Sequence, residues 1–223
     1  MMDIVKQYDD LKEIKEEINR FTDMLDSQKR LPKKNEIKAI SKHIILMKAI
    51  TNYMGNSHYQ KCLIFDVLST MHSLTQQSIR QFHYVFRSFI ENYVRCMLNI
   101  DDTDDTGVNQ LFSLINDKFN EHTDLIGFIY SKYSKSCLYV HSNKKSNSLV
   151  HLHYSEILHN DDFNEKTLKT TIDEVLLTLK KMVELLVSTY PNVIENSFYR
   201  RKQELEYLIG NKLYLVLLEN INS

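Results

Sequence analysis

The chain has 223 residues, 43% of them hydrophobic and 26% charged, which is enough apolar material for a sizeable core. Turn-rich all-β folds consume Gly and Pro, and only 4 Gly and 2 Pro are present, so long helices with few breaks are expected. A formal net charge of −1 lacks the global basic excess of a dedicated duplex-DNA binder; any nucleic-acid contact must come from a local patch or an assembled cleft.

Taken in chain order, the first element spans about Asp3 to Ser27, where Ile4, Leu11, Ile14, Ile18, Phe21 and Leu25 recur at helical steps. Pro32 breaks the chain inside the basic stretch KRLPKKN, and Asn35 is a plausible N-cap for a second helix to about Met54, ended by Gly55-Asn56. The longest helical region is expected from about Tyr59 to Asn99. In its second half Ile79, Phe82, Phe86, Phe89, Tyr93 and Met97 form a continuous apolar seam. DDTDDTG at 101–107 has four acids and no apolar residue and reads as a loop. Helices follow over about Val108–Phe119 and Thr123–His141. After a polar stretch at 142–148, SLVHLHYSEIL is ambiguous between a short extended piece and a helix. Asn160-Asp161-Asp162 opens a helix to about Thr189, stopped by Tyr190-Pro191, and a last helix covers about Val193 to Asn220, weakened at Gly210. The fold class is therefore all-α, an up-and-down helical bundle. Residues 1–54 form an N-terminal helical extension, and 55–223 form the bundle domain, the two making one compact unit.

Cys62, Cys96 and Cys137 are odd in number and widely spaced without a CxxC pair, which fits a reduced, cytoplasmic protein better than a disulfide framework or a thiolate zinc site. The charged N-terminus has no signal-peptide apolar stretch, and no apolar run reaches the ~20 residues a spanning helix needs. No metal and no cofactor is expected: His151, His153, His159, Asp161 and Asp162 cluster without a clear third ligand, and the Gly-rich phosphate loops are missing.

Two constellations could carry chemistry. His83, Arg87, Glu91 and Arg95, four residues apart, form a slowly winding polar strip beside the aromatic seam. It is either a solvated salt-bridge row or the rim of a cleft in which Arg87 holds a phosphate and Glu91, able to pair with it, orients it. In YSKYSKSCLYVHS, Tyr130, Ser134, Cys137 and His141 share one helical face, followed by Lys144-Lys145. Further basic groups are Lys29-Arg30, Lys33-Lys34 and Arg200-Arg201-Lys202, the last flanked by Tyr199 and Tyr207. Such groupings hold single-stranded RNA by charge and stacking or are ordinary solvated helix faces.

FRSFIENY, with Arg87 and Glu91 in R-x-x-x-E, and YSKYSKSCLYVHS, closing on His141, together resemble the HEPN superfamily over about residues 60–190. The resemblance implies a HEPN-like bundle acting on RNA: a metal-independent endoribonuclease or toxin-type antiviral defence effector whose cleft forms in a homodimer. His141 would then move protons, Arg87 and Lys135 would bind phosphate, Glu91 would position Arg87, and Ser134 would assist. Lys144, Lys145 and Tyr130 would bind substrate. The arginine of the family's R-x4–6-H pattern is replaced here, since that position holds Ser134, Lys135 or Ser136 according to the spacing counted. The alternative that this departure supports is a non-catalytic helical dimerisation or interaction module for a protein or nucleotide partner, with the N-terminal helix as one docking arm and no membrane association.

Overall fold

A computed structural model describes residues 11–141, 151 and 162–222. Among them are ten α-helices: α1 (Lys12–Gln28), α2 (Lys34–Tyr53), α3 (His58–Gln76), α4 (Ile79–Leu98), α5 (Val108–Lys118), α6 (Thr123–His141), α7 (Glu165–Thr189), α8 (Pro191–Ser197), α9 (Lys202–Ile209) and α10 (Asn211–Asn222). A 3-10 turn, Asn120–His122, joins α5 to α6. The all-α bundle read from the sequence is what the chain forms, and no helix among the described residues is long and apolar enough to cross a membrane.

The helix boundaries follow local chemistry. α3 begins in a capping box, where the Ser57 N–H donates to the Gln60 side-chain oxygen at 2.8 Å. α7 is capped by Asn164, whose side-chain oxygen accepts the Thr167 N–H at 2.8 Å, and α8 opens on Pro191, whose missing N–H costs nothing in a first turn. In the acidic loop, the Asp101 and Asp104 side chains accept the N–H groups of Thr103 and Thr106 two residues on. These are the Asx turns its composition suggested.

Several expected boundaries are corrected. The region 59–99 is two helices, because Gln77 turns left-handed (φ 58°) and the Ser78 hydroxyl accepts the Gln81 N–H at 3.2 Å to start α4 afresh. α2 begins at Lys34 on a left-handed Lys33, so Asn35 lies inside the helix. α7 begins at Glu165, while Asp162 forms an isolated antiparallel bridge with Ser78. The expected last helix is three, broken at 198–201 with Arg200 left-handed (φ 65°) and again at Gly210 (φ 82°). The ambiguous stretch around residues 148–158 lies outside the described residues apart from His151.

α4 sits at the centre, with α3 packed along one side and α6 along the other. α2 packs on α7, α1 and α9 pack on α2, and α6 and α10 also lie against α7. The buried face of α4 is its aromatic seam. Phe82 and Phe86 stack at 5.1 Å between centroids, Phe86 and Phe89 at 6.2 Å, and Phe163 meets Phe82 edge-on at 5.9 Å. Each such ring contributes about 1.5–3 kcal/mol by leaving water. The seam's polar tips are satisfied: the Tyr93 hydroxyl donates to the Met182 carbonyl of α7 at 2.7 Å, and the Tyr190 hydroxyl donates to the Met97 carbonyl at 2.6 Å in the last turn of α4. One contiguous core runs from Ile14 to Leu217 and includes Ile37, Ile40, Leu46 and Met47 of α2, so among the described residues no gap in packing separates 11–54 from the rest.

Candidate functional site

The residues singled out in the sequence lie on α4 and α6, which pack side by side. Their register is fixed by contacts. His83 of α4 meets α6 at Ser136, with Nδ1 3.1 Å from Oγ, and stacks on Tyr139 at 3.8 Å and 12° between rings. One to two turns further along α4, Arg87 and Glu91 lie near enough to Tyr133 for both charges to act on its hydroxyl. That hydroxyl is pushed well above its ordinary range, first by burial, then by its hydrogen bond with Cys137.

The polar strip is not one solvated row. His83 (6% exposed) and Arg95 (8%) are both buried. Burial and the nearby Lys135 ammonium lower the His83 pKa to about 4, partly opposed by Glu174, so the imidazole is neutral near neutral pH. Glu91 is bound by Arg95, whose guanidinium donates to Glu91 Oε1 through two nitrogens at 3.1 and 3.3 Å. Arg95 also donates to the Thr106 carbonyl at 2.9 Å and the Asp104 carbonyl at 3.4 Å, and lies over the Tyr59 ring at 5.0 Å. It therefore ties the acidic loop to α4, using the guanidinium's several donors in one plane.

On α6, Lys135 is held at 2.8 Å by Glu174 of α7, which also accepts from Lys132 at 3.0 Å. Burial raises the Glu174 pKa, but the hydrogen bonds from Lys135 and Lys132 outweigh it and leave the carboxyl below its usual range. Two ammonium groups thus surround one mostly buried carboxylate. Ser134 is half-buried, and Tyr130 is exposed at its tip with its ring edge-on against Phe112 at 4.8 Å.

Of the proposed site residues, the fold brings Arg87 and Glu91 to Tyr133, and Lys135 to Glu174. His141 is the last residue of α6. Since α6 runs antiparallel to α4, with Tyr133 level with Arg87 and Glu91 and Tyr139 level with His83, its backbone ends beside the start of α4, about two turns or ~11 Å along the axis from Arg87. The His141 side chain and Lys144 and Lys145 lie outside the described residues, as do His153, His159 and Asp161. The sequence reading missed Ser136, Tyr139 and Tyr133 as members of the α4–α6 seam, and Glu174 of α7 as the partner of Lys135. Only the pairing of one helix with another identifies them, and no local motif marks it.

The class the fold defines is thus an all-α bundle with a polar seam between two central helices. Comparison with protein-family models, with curated proteins and with solved structures finds no match.

Proposed function

We propose that this chain works by binding and not by catalysis, as a helical interaction module that engages a protein or nucleotide partner and associates as a homodimer. The observation that supports this reading is the internal use of the α4–α6 seam. His83 is committed to Ser136 and Lys135 to Glu174, which join α4 to α6 and α6 to α7, while Glu91 is committed to Arg95 on its own helix, so these groups serve structure. A catalytic base or phosphate clamp has to reach substrate; a buried imidazole stacked under Tyr139 and a lysine neutralised by a carboxylate are spent on structure. The replaced arginine ahead of His141 points the same way.

A second reading, the HEPN-like endoribonuclease, is favoured by one feature: the helix bearing Arg87 and the helix ending in His141 are packed neighbours, as a shared cleft between them requires. The two readings separate in one assay. Purified protein is incubated with single-stranded RNA in the presence of a chelator, beside His141→Ala. The binding reading expects intact RNA with both proteins, and a dimer by sedimentation. Cleavage by the wild type that His141→Ala abolishes overturns it in favour of the nuclease.

A further inference from the structure

A second polar cleft, of about 420 Å³, lies away from the α4–α6 seam, between α1, α2 and α9. That volume is in the range of small-molecule sites. The helical repeat builds it. Lys15 and Asn19 are one turn apart on α1, and Asn35, Lys38 and Lys42 follow each other at steps of three and four on α2, so each helix turns lysine and asparagine side chains to the same gap. Tyr207 of α9 closes one wall, and the buried Ile18 lies beneath.

We infer that this cleft binds a phosphate-bearing small molecule, whose phosphoryl oxygens are held by Lys38 and Lys42 and whose organic part meets Asn19, Asn35 and the Tyr207 wall. Charge is the first argument. Acidic and basic residues balance across the chain, and neighbouring lysines are paired, Lys33 with Asp173, Lys34 with Asp26 and Lys202 with Glu195. No carboxylate is among the described residues that line the cleft, whereas the half-buried Lys38 and Lys42 both line it. Gathering like charges at partly desolvated positions costs energy that a bound anion offsets. Lys38 has no hydrogen bond or ion pair among the described residues.

Preorganisation is the second argument. Lys42 Nζ donates to the Tyr207 carbonyl at 3.1 Å and sits 3.6 Å from the centre of the Tyr207 ring. It is fixed before any ligand arrives and retains donors to give, since an ammonium has three. Burial lowers its pKa, and an anion alongside would raise it again. Asn19 and Asn35 add amide donors and acceptors suited to hydroxyl groups. The site is separate from the α4–α6 seam, so it stands whether or not that seam is catalytic.

The test is titration calorimetry of the full chain at low ionic strength, with inorganic pyrophosphate and ribose 5-phosphate as probes. Binding with a Kd of about 0.1–1 mM is expected. Lys38→Gln should weaken it about tenfold while leaving the unfolding midpoint in place, because Lys38 supports nothing else. Lys42→Gln should weaken it at least as much but also loosens the Tyr207 contact, so Lys38→Gln decides. Lys181→Gln, on α7 beside Glu184, is the control and should bind as the wild type does. Absence of binding by both probes overturns the assignment, as does equal weakening in Lys38→Gln and Lys181→Gln, which would mean unspecific screening. Binding of single-stranded RNA alone, lost in Lys38→Gln, would overturn it in favour of a polynucleotide track.

Discussion

His43 on α2 and His83 on α4 are both buried, and both have pKa values lowered to about 4. Burial is the largest cause in each, followed by the ammonium of Lys180 for His43 and of Lys135 for His83. His43 has a further cost, because its Nδ1 is buried with no hydrogen-bond partner among the described residues. An unfolded histidine takes its proton near pH 6.5 and these take theirs near 4, so between those values the unfolded chain binds more protons. Stability is full above about pH 6.5 and falls as the pH drops towards 4, by up to about 2–3 kcal/mol per histidine. Urea unfolding across that range should show the fall. His43→Leu should flatten the slope while leaving neutral-pH stability unchanged or raised, since it removes an unsatisfied polar atom. A slope unchanged in the variant would mean that other groups cause the acid sensitivity. At this scale the sequence identified the chemical types correctly but not their surroundings: His83 and Arg95 belong to a polar repeat that reads as solvent-facing, yet α6 and the 101–107 loop fold over them.

At the scale of elements, the hydrophobic period located α4 and its aromatic seam correctly, because burial of Phe82, Phe86, Phe89 and Tyr93 requires a recurring step of three or four. The break before α4 was missed because neither Gly nor Pro marks it. Its signal is Ser78-Ile79-Arg80-Gln81, which matches the S-x-x-Q pattern of a helix start inside a longer helical period. Two variants probe it. Ser78→Ala should cost about 1 kcal/mol through loss of the cap to Gln81. Gln77→Gly should stabilise by up to about 1 kcal/mol, because its left-handed backbone has no Cβ strain with glycine. Thermal melts read both, and a midpoint that Ser78→Ala leaves unchanged or raises would show that the turn is not held by its cap. The 198–201 break is equally illegible, as Arg200 rather than a glycine adopts the positive φ.

On the scale of the whole molecule, the contiguous core from Ile14 to Leu217 predicts one cooperative unfolding transition. Far-UV circular dichroism and tyrosine fluorescence should give coincident midpoints, with the 13 Tyr reporting in a chain that has no Trp. An early step that releases α1 and α2 would separate the two signals and restore a division near residue 54. α2 argues against that, since it is packed on α7 from the far end of the sequence.

The sequence alone determined the helical class, the rhythm of the buried faces and the character of the acidic loop, because helix period, scarcity of Gly and Pro, and Asx-turn chemistry act over a few residues. Tertiary structure alone decided which polar groups would be spent on packing. Glu174 pairs with both Lys132 and Lys135 from about 40 residues away, Ser136 takes His83, and Lys15 and Lys38 come to face one cleft because α1 and α2 fold back on each other. Such pairings depend on which helix faces lie together, and helix period alone does not specify the partner of each face.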